Sequence, residues 1–246
     1  MARVSVIGDL GGGTTILDVP DPAGDDNGPG TYQYPTSSNF APGSFDLTRF
    51  QVLQQGDTVY LRTTLRNLVD TFGSPDGAQL LDVYIHQPGA TPTSTEAAFT
   101  SRHYSIAPDD AWSQRIEVQG FAGPVWQDAN ADQVGTVSGV VAAPAAKTIT
   151  IALPAAELGT PGSGWSFSVV LTGQDGFSSD QARGFTPTPQ EYQFGVCAAG
   201  DPSPICSVAP GSVAKAVDVI TPADVSQSTE LDPTAGSPVI HGVPVP

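Results

Sequence analysis

Asp21, Asp25, Asp26 and Asp46 fall within and just after the stretch DPAGDDNGPGTYQYP, whose glycines and prolines force tight turns. Hard cations suit such a loop. Calcium takes about six to eight oxygen ligands from carboxylates and backbone carbonyls, and a Gly-rich chain lets carbonyls turn inward while Asp supplies charge. The same residue types also build ordinary solvated turns, so the composition of the loop leaves both readings open. DANAD, residues 128–132, resembles the opening of an EF-hand loop, but Gln133 stands where the sharp turn needs Gly and Gly139 where a bidentate Glu belongs, so a polar turn is predicted there.

The two cysteines, Cys197 and Cys206, flank AAGDPSPI, a segment whose Gly and Pro suit a chain folding back on itself. A disulfide is predicted, and it implies an oxidising compartment. None of His86, His103 and His241 is near them in sequence to complete a tetrahedral zinc site.

Sugar-binding surfaces present flat aromatic rings, because the apolar CH faces of a pyranose stack on them while rim polar groups bond the hydroxyls. Trp126, in GPVWQDAN, sits between a proline and a polar turn with no strand phase to bury it, and is the first candidate for stacking. His103 and Tyr104, in TSRHYSIAPDD, are the second. Trp112 and Trp165 fall in phase with apolar strand faces and are expected in the core, while Tyr32 and Tyr34 are expected to pin the acidic loop to a sheet. Signatures of catalysis are missing: there is no G-x-S-x-G elbow, no H-E-x-x-H, and GGGTT has no lysine following it. Twenty-five acidic residues always allow a glycosidase-like pair on paper, which makes that pair uninformative.

The elements that must position these residues read as strands. In TVYLRTTLRN, Val59, Leu61, Thr63 and Leu65 share one face and Tyr60, Arg62, Thr64 and Arg66 the other. LLDVYIH sets Leu81, Val83 and Ile85 against Asp82, Tyr84 and His86, and AWSQRIEVQG, TITIAL and WSFSVVLT repeat the period of two. One-sided burial of this kind belongs to antiparallel sheets that stack to hide their apolar faces. With 27 Gly and 23 Pro breaking up any long helix, the predicted fold is all-β, an antiparallel sandwich of jelly-roll type. PAAELG is the one helical hint, a single turn from Pro154 to Gly159.

With 25 acidic against 9 basic residues the net charge is −16, which repels phosphate backbones and anionic membranes and excludes nucleic acid as a partner class. No apolar stretch approaches the ~20 residues of a membrane span. The start MARVSVIGDL lacks the features of a signal peptide, so a piece of a larger secreted protein is expected.

In order along the chain, DPAGDDNGPGTYQYP, GSFDLTRFQV, VYLRTTLRNL, LLDVYIH, STEAAF, AWSQRIEVQGF, ITIALPAAELG, GWSFSVVLTGQDGF and KAVDVI resemble the C-terminal module of bacterial glucodextranases and related amylolytic or surface-layer-linked enzymes, which is similar to family 9 carbohydrate-binding modules. The first motif is the most specific, and the match spans Val19 to Ile220. The resemblance implies a non-catalytic β-sandwich with Ca2+ in or near the DPAGDD loop, held by Asp21, Asp25, Asp26 and Asp46 with backbone carbonyls. It also implies an attached catalytic domain that acts on α-glucans, and a polysaccharide or cell-wall glycan as partner outside the cell. The expected organisation is a lead-in strand or linker over 1–18, the module over 19–220 and a Pro-rich tail over 221–246. A structural or adhesive surface module, and more distantly a divergent glycoside hydrolase, are the competing readings. The sequence departs from the family pattern at the cysteine loop, 197–206, and at QDANAD.

Overall fold

The computed structural model describes residues 12–246. Its strands are β1 (Thr14–Pro20), β2 (Leu47–Gln55), β3 (Thr58–Leu65), β4 (Gln79–His86), β5 (Ser105–Ile106), β6 (Gln114–Gln119), β7 (Val125–Asp128), β8 (Gly139–Ala143), β9 (Thr148–Pro154), β10 (Ser166–Gly173), β11 (Phe185–Thr186), β12 (Phe194–Gly195), β13 (Asp218–Ile220), β14 (Val239–Ile240) and β15 (Val243–Pro244). One sheet runs β1-β2-β3-β9-β8; the other runs β13-β10-β4-β6-β7, with β15 also pairing to β10. All pairings within these two sheets are antiparallel. The chain is an all-β sandwich.

Strand phase builds the interior. In β3 every second residue is buried, so Val59, Leu61, Thr63 and Leu65 face inward as their spacing predicts. They meet Phe50, Val83, Ile85, Ile116, Phe167 and Val169 in one apolar core between the sheets. PAAELG forms the predicted single turn, Ala155–Leu158, which ends at Gly159 with a φ of 92° open to glycine. DANAD is a polar turn, closed by the Asp128 carboxylate, which accepts from the amides of Asn130 and Asp132.

The second sheet departs from the expected wet outer face. β4 is buried on both sides, because segments from residues 97–112 and 214–240 cover it and enclose Tyr84, Tyr104, Trp112, Val170, Leu231 and Ile240 in a second apolar cluster. Trp112 is therefore core as expected, but on the side opposite Ile116 and Val118; Trp165 packs, partly buried, against the main core.

Two boundaries move. The predicted tail, 221–246, is part of the sandwich: β15 pairs with β10, β14 runs beside β5, and Ile240, Val243 and Val245 are buried. Its prolines limit it to two-residue strands, too short for alternation to show. The lead-in, 1–18, lies outside the described residues up to residue 11; from Thr14 the chain is an edge strand on β2, so a boundary at residue 18 cuts through β1. Cys197 and Cys206 are joined by a disulfide.

Candidate functional site

The acidic loop lies against one end of the sandwich. Its path depends on glycine at Gly28, where φ is 58° and a Cβ would collide with the Tyr32 ring. Tyr32 donates its hydroxyl to the Ala214 carbonyl at 3.0 Å, and Gln227, in the single helical turn Gln227–Glu230, donates to the carbonyls of Asp25 and Gly28 while accepting from the Val219 amide. The loop is thus tied through Gln227 to β13, while Tyr32 ties it to Ala214, a few residues before that strand rather than on the expected sheet.

Those ties bring together carboxylates far apart in sequence. One oxygen from each of Asp21, Asp25 and Asp218 lies within 4.8 Å of the others. Asp218 opens β13, is wholly buried, and accepts from the Leu47 amide through one oxygen at 2.6 Å. Asp46 is also wholly buried; one of its oxygens accepts from Gly24 N at 2.9 Å and from Arg66 at 3.3 Å. Four further oxygens, Asp21 Oδ2, Asp25 Oδ1, Asp46 Oδ1 and Asp218 Oδ1, are buried without a hydrogen-bond partner among the described residues. Buried carboxylates are ordinarily paired or bound to a metal, since isolating the charge from water is costly.

Electrostatics carry the same signal. Burial, reinforced by Asp25 and Asp46, pushes the Asp21 carboxyl up to about 8, and burial with Asp46 and Asp26 nearby pushes Asp25 up to about 6. Burial, then Asp21 and Asp25, hold Asp218 well above the usual carboxylate range. Side chains leave this repulsion standing, with Arg66 the only cation paired to the group among the described residues. A divalent cation with oxygen preference fits: Asp21, Asp25 and Asp218 would hold it, with Asp46 adding charge beside them, and it would cancel the repulsion.

Two members of the set differ from the expected ligands. Asp26 accepts a hydrogen bond from the Tyr34 hydroxyl, which in turn accepts from the Phe45 amide at 2.9 Å, so Tyr34 pins the loop through it. Asp218 was missed, although an aspartate inside the apolar run KAVDVI is a visible anomaly.

The expected stacking residues are not brought together at one place. Trp126 is only 2% exposed: it lies in β7 opposite Ile116, packs in the main core, and donates its indole N–H to Gln114 Oε1 at 2.9 Å. Tyr104 is buried in the second cluster with its hydroxyl against that of Tyr84 at 3.0 Å, and it and the half-buried His103 border one surface groove. A four-residue strand after Pro124 gives too little alternation to betray the burial of Trp126. Replacing Trp126 with Ala should therefore cost about 3–5 kcal/mol in denaturant unfolding, the range for a buried aromatic deleted from a core. A loss below ~1 kcal/mol would show that the ring is not held as described.

A family model for the C-terminal, SLH-like binding module of glucodextranase matches residues 16–240. No curated protein is matched.

Proposed function

Since the chain belongs to the family of C-terminal, SLH-like binding modules of glucodextranase, which bind and do not catalyse, we propose that it is a calcium-stabilised module holding a glycoside hydrolase to polysaccharide, α-glucan first, outside the cell. The observation that carries the calcium half is the set of four buried, unpartnered carboxylate oxygens from Asp21, Asp25, Asp46 and Asp218. The family supports the carbohydrate half and the attached catalytic domain. The disulfide supports an oxidising, extracellular setting, and among the described residues no helix is long and apolar enough to cross a membrane.

Calcium would act here by fixing the loop from Pro20 to Phe45 to β13, two segments whose own side chains leave like charges facing each other. Asp218 reaches the cluster from the sheet, Asp21 and Asp25 from the loop, and Asp46 from the start of β2.

Native electrophoresis through gels containing α-glucans, β-glucans or cell-wall polysaccharides should show retardation in calcium buffer, strongest on α-glucan, and elemental analysis should find calcium bound. Free migration through every gel would remove the carbohydrate half in favour of a structural or adhesive module. Absence of metal after purification in calcium would remove the other half.

A further inference from the structure

Among the described residues four large apolar side chains stand exposed: Phe72, Phe121, Phe177 and Tyr192. They come from four separate loops, yet all four border one cleft of about 960 Å³. We propose that this cleft is the sugar-contact surface of the module, with Phe177 and Tyr192 as its principal stacking rings. The proposal rests on the carbohydrate reading above and assigns it a place.

The rings are held at the surface by local structure. Phe177 is 85% exposed at the tip of a turn whose Asp175 carboxylate accepts from the amides of Phe177 and Ser178, at 3.1 and 3.0 Å. Phe72 holds a φ of 56°, a left-handed conformation that is strained for an aromatic residue, and such strain gathers at functional sites. Its ring lies 6.5 Å from that of Tyr192, and both pack edge-on against Phe40 beneath, over which the Arg183 guanidinium stacks at 4.7 Å. Arg183 also donates to the carbonyls of Tyr192 and Gln174, at 2.6 and 2.5 Å, and so fixes the wall that carries Tyr192.

Polar capacity lies under the rings. Gln174 and Arg183 line the cleft, both are more than nine-tenths buried, and among the described residues Gln174 Oε1 and Arg183 Nε have no hydrogen-bond partner. A buried acceptor and a buried donor left unpartnered beneath flat apolar rings suit a pyranose with CH faces and hydroxyl edges. Charge also favours a neutral ligand. Asp175 and Glu191 are offset by Arg183 and Lys215 along the cleft, on a chain whose overall charge is −16. The volume falls in the range of a small-ligand site, about 300–1,000 Å³.

The test is affinity electrophoresis of the whole chain in calcium buffer, through gels of dextran, soluble starch, β-glucan or cell-wall polysaccharide, comparing wild type with Phe177→Ala and the double variant Phe177→Ala/Tyr192→Ala. Wild type should be retarded by at least one glycan. Phe177→Ala should weaken that retardation about tenfold and the double variant should abolish it, as expected for aromatic hot spots, with the melting temperature of Phe177→Ala unchanged. If wild type binds and both variants bind equally well, the cleft is not the site, although the carbohydrate reading survives. If wild type binds no glycan, that reading falls and takes the cleft with it. Sedimentation that shows a dimer dissolved by Phe177→Ala, with no competition from glycan, would reassign the cleft to self-association.

Discussion

Chelation should lower the melting temperature sharply at pH 8 and hardly at all at pH 4. Binding to the native state alone stabilises by RT ln(1 + [L]/Kd), about 4.1 kcal/mol at a thousandfold excess of calcium over Kd. The pH dependence follows from the carboxylates. An unfolded Asp releases its proton near ~3.9, whereas the folded, metal-free cluster keeps protons until about 6 at Asp25 and about 8 at Asp21. Between those values the native state binds more protons than the unfolded chain, so metal-free stability is fully present below about pH 4 and is lost as the pH rises toward about 8. Calcium replaces the protons, and its benefit should grow over the same window.

A neutral isostere separates this account from a merely destabilising mutation. Asp218→Asn removes the most deeply buried charge while keeping the side-chain shape, so the metal-free variant should melt above metal-free wild type at pH 8. In calcium the order should reverse, because the variant has lost a ligand. A wild-type melting temperature that is the same in EDTA and in calcium across pH 4 to 8 would show that the cluster holds no cation.

The parts of this molecule that were legible in its sequence are those governed by local period and local turn chemistry. Alternation in β3, β9 and β10 fixed which residues meet in the core, and the Asp-Gly-Pro loop announced three of the four clustered carboxylates. Asp218 could not be placed from spacing, because a distance of more than 170 residues along the chain is closed only by the pairing of β13 with β10. Rings followed the same logic in reverse. Trp126 looked irregular and is buried, since one antiparallel pairing with β6 decides its side; Phe72, Phe121, Phe177 and Tyr192 sit in loops whose common cleft exists only after the sheets have stacked. The covering layer over β4 was hidden too, for its short strands carry no readable period.

That covering layer is held by a buried ionic cluster whose rupture should have the other large effect. Arg102 is wholly buried; it pairs with Asp82, donates to Glu117 at 2.8 Å, and reaches the carbonyl of Asp180 at 2.7 Å. Arg115 bonds the same two acids at 2.9 and 2.8 Å, so two cations balance two anions. Arg102→Met keeps much of the volume but leaves Asp82 and Glu117 sharing one guanidinium in a dry setting. Breaking a buried pair from one side costs about 3–5 kcal/mol, and denaturant unfolding should show a loss of that size at pH 8. The loss should shrink at pH 5: burial already raises the Asp82 carboxyl, the missing cation raises it further, and a group whose folded-state proton affinity is raised contributes stability at low pH that disappears as the pH rises. The consequence reaches the proposed sugar cleft. Asp180, besides its carbonyl bond to Arg102, accepts from Ser101 and Lys215 at 2.7 Å each and closes the turn that presents Phe177. At a temperature where Arg102→Met is still folded, glycan retardation should therefore weaken as well, whereas Trp126→Ala, on the far side of the second sheet, should lose stability and keep binding. Equal binding by wild type and Arg102→Met would show that the cluster supports the fold without positioning the cleft.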